Sequence, residues 1–92
     1  MIGKCFDWIM ESTKRADEYY RAMTAWVTSR RNNGTVRYLI KLATAYDRAL
    51  DKALQCLRKL KRTDPVDNQI AMTRNYKALI RSDLELLNDM ED

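Results

Sequence analysis

The sequence predicts an all-α fold, with three long antiparallel helices in an up-down-up bundle that is open to dimerisation into a larger one. Three apolar stripes and two short breaks predict it. Ile2, Phe6, Ile9, Thr13, Ala16, Tyr20, Met23 and Val27 step by four and three. Val36, Leu39, Ala43, Tyr46, Leu50, Ala53, Leu57 and Leu60 form a second stripe, and Val66, Ile70, Thr73, Tyr76, Ile80, Leu84 and Leu87 a third. Side chains three and four apart share one helix face, so each stripe is expected to be a buried seam.

Helix one is expected from about Lys4 to Arg31. Arg30 and Arg31 suit the negative pole of its dipole, and Gly34 in Asn32-Asn33-Gly34 can take the left-handed geometry that closes a helix. Helix two should follow a Thr35 cap and run to about Arg62. Its further apolar residues, Ile40, Leu42, Ala45, Ala49, Leu54 and Cys56, suit the central rod of the three. Helix three should run from Pro65 to about Asn88, with Asp64 as its N-cap. Each helix then has roughly 24–28 residues and a length of about 36–42 Å, and the short connections force sequential helices to be antiparallel.

The 92 residues make one domain, residues 1–92, with a thin core. No apolar run approaches the ~20 residues of a membrane span. The N-terminus carries Asp7 and lacks an apolar stretch typical of a secretory signal, so a cytoplasmic setting without membrane contact is expected. With the turn placed near Asn33, Cys56 should lie level with Glu11, about 9 Å from Cys5 along the helix. Both cysteines are therefore expected to be reduced packing residues.

The chemistry excludes much. There is no histidine, and glycines occur only at positions 3 and 34, so no phosphate-cradling loop can form. Two cysteines cannot build a structural zinc site. Asp47 and Asp51 are spaced to share a cation, although Arg48 and Lys52 beside them favour two carboxylates facing water. The arginine, lysine and paired-acid pattern of small helical chorismate mutases is lacking. No enzyme activity and no cofactor are expected.

Trp8, Tyr19 and Trp26 form a ridge beside the first seam. Either they shield its edge or, with Arg30, Arg31 and Arg37, they offer a docking face, since Trp, Tyr and Arg anchor interfaces. Net charge is +4 overall and unevenly spread, with residues 63–92 holding seven acids against three cations. Asp83, Glu85, Asp89, Glu91 and Asp92 are expected to approach Arg30, Arg31, Arg37 and Lys41. At the other end, Arg58, Lys59, Lys61 and Arg62 either answer a helix dipole or grip nucleic-acid phosphates.

Asp7-Trp8-Ile9, Tyr19-Tyr20, Arg30-Arg31, the run Val36 to Ile40, Ala43 and Ala49-Leu50 resemble the first helical hairpin of rubrerythrin-like members of the ferritin-like superfamily. The resemblance spans about half the chain. It implies a hairpin that associates into a four-helix or larger bundle. The family's Glu-x-x-His pair would fall near Tyr46 and Asp47, where no histidine stands, so no metal ligand carries over.

The resulting functional expectation is a non-catalytic protein-interaction module, an adaptor or small inhibitor of the kind phages and mobile elements aim at host machinery, acting as a homodimer or on another protein. The acidic third helix would suit an inhibitor that competes for a phosphate-binding site. The alternative is a nucleic-acid binder using the basic end of helix two.

Overall fold

A computed structural model describes residues 2–28 and 33–91, with the side chains of Ile2 and of residues 33–35 left aside. A 3-10 turn, Ile2–Cys5, leads into α1 (Phe6–Thr28), α2 (Asn33–Arg58) and α3 (Asp64–Glu91). No strand occurs among the described residues. The all-α, three-helix expectation is met. Among the described residues, no helix is long and apolar enough to cross a membrane.

Helix α2 is the centre of the layer. Its stripe from Val36 to Leu57 is buried throughout, and α1 and α3 pack on it rather than on each other. One core cluster joins Tyr19, Trp26, Leu39, Tyr46, Leu50, Ile80 and Leu87. A second, at the other end, joins Cys5, Leu54, Leu57, Val66 and Ile70. The molecule is a thin rod, 47 × 20 × 16 Å.

Helix α1 departs from its expected face. Its buried residues are Ser12, Tyr19 and Trp26, which continue Cys5 at sevenfold spacing. Phe6, Thr13, Tyr20 and Val27, one position later in each heptad, are exposed. One residue is about 100° of rotation, so this half of the expected seam is turned away from the core, while its other members Ile9, Ala16 and Met23 pack half-buried against the two clusters. In α3, Tyr76 is likewise exposed, whereas Val66, Ile70, Thr73, Ile80 and Leu87 are buried.

The ends also shift. Asn33 and Gly34 belong to the first turn of α2, so Gly34 does not close helix one. Helix α2 stops at Arg58, four residues early. Lys59 and Leu60 donate to the carbonyls of Cys56 and Leu57, three residues back, which tightens the last turn. Leu60 then packs on the second core cluster. The cap of α3 is Thr63, not Asp64: its hydroxyl accepts from Val66 N–H at 3.5 Å and its carbonyl from Asp67 N–H at 2.8 Å. Asp64 and Asp67 then both lie in the first turn, where the dipole favours acids.

Cys5 and Cys56 form a disulfide, with Cα atoms 5.6 Å apart. The expectation of two reduced thiols fails because it centred the turn on Asn33. With α1 ending at Thr28 and α2 starting at Asn33, the register moves by half a dozen positions and sets Cys56 level with Cys5.

Candidate functional site

Because α1 and α3 both lean on α2 and hardly touch each other, a groove opens between them. Its walls are Ile9, Ser12, Thr13, Ala16 and Tyr20 of α1 and Gln69, Met72, Thr73, Tyr76 and Leu79 of α3, with Tyr46 and Leu50 of α2 as its floor. Its volume is about 530 Å³. Ile9 and Tyr20 lie eleven residues apart, which makes the groove about 16 Å long, or three turns of a docked helix. The wall's aliphatic hydroxyls are satisfied from within: Ser12 and Thr13 donate to the Ile9 carbonyl at 2.7 and 3.1 Å and Thr73 to the Gln69 carbonyl at 2.8 Å. The lining is mostly apolar, with the Gln69 amide and the hydroxyls of Tyr20, Tyr46 and Tyr76 as its polar points.

A polar bridge closes the groove at its upper end. The Tyr19 hydroxyl donates to Asp83 Oδ2 across the gap at 2.9 Å. Burial, then the bond to Asp83, raises the Tyr19 phenol well above its ordinary range. Tyr20 stands edge-on to Tyr19 and to Tyr46, with ring centroids 5.0 and 6.3 Å away. Tyr46 is pushed up to about 12 by burial, with smaller contributions from Tyr20 and Tyr76. Past the bridge the seam resumes as a smaller hollow lined by Met23, Trp26, Asp83, Leu86, Leu87 and Met90.

Along α3, Met72, Tyr76, Leu79, Asp83, Leu86 and Met90 step by four and three. This is a second heptad stripe, and its five apolar members are all exposed, up to 62% at Leu86. Opposite it runs the misplaced stripe of α1. The wall residues were legible as a pattern, but nothing in the sequence distinguishes a stripe that meets α2 from one that meets nothing.

The other expected sites are dispersed. Tyr19 and Trp26 are buried in the core, so the aromatic ridge is not a surface. Trp8 alone is half exposed, in a shallow crease with Ala45, Arg48, Ala49 and Lys52. Arg37 pairs with Glu91 at 3.0 Å, as the expected approach of acidic and basic ends requires. Arg30, Arg31 and Asp92 lie outside the described residues. Arg58 and Lys59 are exposed, Lys61 sits in the connection to α3, and Arg62 is paired with Asp67.

Asp47 and Asp51 do share a cation, but it comes from the protein. Lys77 Nζ lies 2.8 Å from each carboxylate, and Arg81 Nε lies 3.5 Å from Asp47. Asp47 is turned from water into the α2–α3 crease, against the expectation. Among the described residues, no group of three or more His, Cys, Asp or Glu side chains is placed to hold a metal ion. No family model matches the chain, and neither the curated proteins nor the solved structures include a match.

Proposed function

We propose that the chain is a non-catalytic protein-interaction module that receives an amphipathic helix of another protein between α1 and α3. One observation carries the reading: both walls of the groove present an unpartnered heptad stripe, and together they leave the seat of a fourth helix vacant. Contiguous exposed apolar surface of this kind marks an interaction site, and helix-in-groove docking suits stripes with this period. Asp83, the only charged side chain lining the seam among the described residues, calls for a cation midway along the apolar stripe of the incoming helix. Such a module acts as an adaptor, or as a small inhibitor of the complex whose helix it takes.

The test replaces Leu79 of the groove wall and Leu86 of the hollow beyond the bridge, the two most exposed members of the α3 stripe, with Asp. Each buried Leu is worth about 2 kcal/mol to an interface, or about 30-fold in affinity. The double variant should keep its helical circular dichroism and lose the partner recovered by a photo-crosslinker placed at Tyr76. Crosslinking to a second copy, with a dimer in sedimentation that the same variant dissolves, would identify the partner as the chain itself. Retention of the partner by the double variant sinks the groove reading.

A further inference from the structure

The side of α2 opposite the groove carries a different surface. At about 100° per residue, Arg37, Lys41, Arg48 and Lys52 fall within about 60° of one another about the helix axis, with Lys59 one residue past the helix end, while Tyr46 and Leu50 point the other way into the groove floor. All five are exposed. They span about 33 Å, close to one turn of a nucleic-acid duplex at ~34 Å. Arg58, Arg74 and Arg81 flank the line along the α2–α3 crease.

Several acids on this side are held in ion pairs, although Asp7 and Glu85 form none among the described residues. Glu11 and Glu18 are bound by Arg15, and Asp47 and Asp51 by Lys77. Glu91 takes Arg37. Lys41, Arg48, Lys52 and Lys59 form no ion pair among the described residues.

From this ridge we propose a second binding function: α2 lies along the phosphate backbone of duplex nucleic acid without reading sequence. An unneutralised line of cations at regular helical spacing matches a uniform polyanion. A membrane surface is the poorer fit. Interfacial helices insert an apolar face beside their cations, and the apolar face of α2 is already spent on the core. The ridge also differs from the cluster Arg58, Lys59, Lys61 and Arg62 at the helix end: only Lys59 belongs to both.

The experiment measures binding to a short mixed-sequence DNA duplex by mobility shift across a salt series. Trp8, in the crease beside Arg48 and Lys52, provides a fluorescence signal that Trp8→Phe should remove. Four unpaired cations predict a slope of log K against log salt of about −3.6. A ridge variant (Lys41→Gln, Arg48→Gln, Lys52→Gln, Lys59→Gln) should drop the slope to near zero and weaken binding at least ~100-fold near physiological salt. A control removing as many charges elsewhere (Lys4→Gln, Lys14→Gln, Arg21→Gln, Lys61→Gln) should remain within about fivefold of the parent. Circular dichroism certifies that both are folded. The proposal is overturned by equal weakening in the two variants, by no shift even at low salt, or by stronger capture on phosphatidylserine vesicles than on DNA. Leu79→Asp with Leu86→Asp should leave this binding intact, so the ridge and the groove fail or succeed separately.

Discussion

The two sides of α2 make an instructive contrast. Toward the groove it presents Tyr46 and Leu50, nearly inaccessible and held by neighbours on both flanks. Away from the groove it presents a line of cations with few partners. The same 26-residue helix is thus a structural beam on one side and a solvated charge array on the other. Substitutions on the first side should register in stability, and those on the second in association at nearly constant stability.

The largest effect should come from the floor. Leu50→Ala deletes a side chain in the main core cluster and should cost about 3 kcal/mol in chemical denaturation. If the loss were under about 1 kcal/mol, the floor would be a soft surface and the contrast would fail.

Alkaline pH probes the same side. The Tyr46 phenol is neutral in the fold and its pKa is raised to about 12, above its ordinary value of 10.0. A group whose pKa is raised by folding stabilises fully below its unfolded value and loses that contribution as pH climbs through the folded one. Stability should therefore be level up to about pH 10 and then decline toward pH 12, by an amount on the order of 2 kcal/mol. Tyr19, shifted in the same direction, adds to the decline. Thermal melts at stepped pH check this, and Tyr46→Phe should flatten the fall.

Lys77 sits on the border of the two sides, only 15% exposed. Lys77→Met leaves Asp47 and Asp51 without their ammonium and should cost about 2 kcal/mol. Adding Asp47→Asn should recover about half of it, a coupling that a double-mutant cycle measures.

On the ridge, Arg48→Gln should change stability by less than about 0.5 kcal/mol while reducing the salt slope of DNA binding by about 0.9. A loss of stability as large as that of Lys77→Met would show that Arg48 is structural.

Much of this architecture was legible beforehand, and the failures have a common cause. The stripe of α2 was read correctly because the helix is apolar over a wide arc, so an error of one residue still falls on the core. Helix α1 offers two adjacent stripes. The 4-3 periodicity fits the stripe holding Phe6, Thr13, Tyr20 and Val27 as well as the one holding Cys5, Ser12, Tyr19 and Trp26. The Ser12 hydroxyl reaches the Ile9 carbonyl, so it can be buried at little cost, a local solution that a hydropathy pattern does not reveal. The aromatic ridge was lost by the same rotation, since Tyr19 and Trp26 lie on the stripe that meets the core. The groove required knowing that α1 and α3 stay apart, which is a tertiary fact. The Lys77 bridge links residues 30 positions apart and had no local signature.

The bond between Cys5 and Cys56 carries a practical consequence. It closes a span of 51 residues, and in chain-entropy terms such a link limits the unfolded ensemble by about 4 kcal/mol. It also pins the start of the first rod to the far end of the second, leaving the Tyr19–Asp83 bridge as a separate tie across the cleft. Oxidised and reduced preparations should thus differ in how freely that cleft breathes, and the solution's thiol content becomes a variable in every measurement of what enters it.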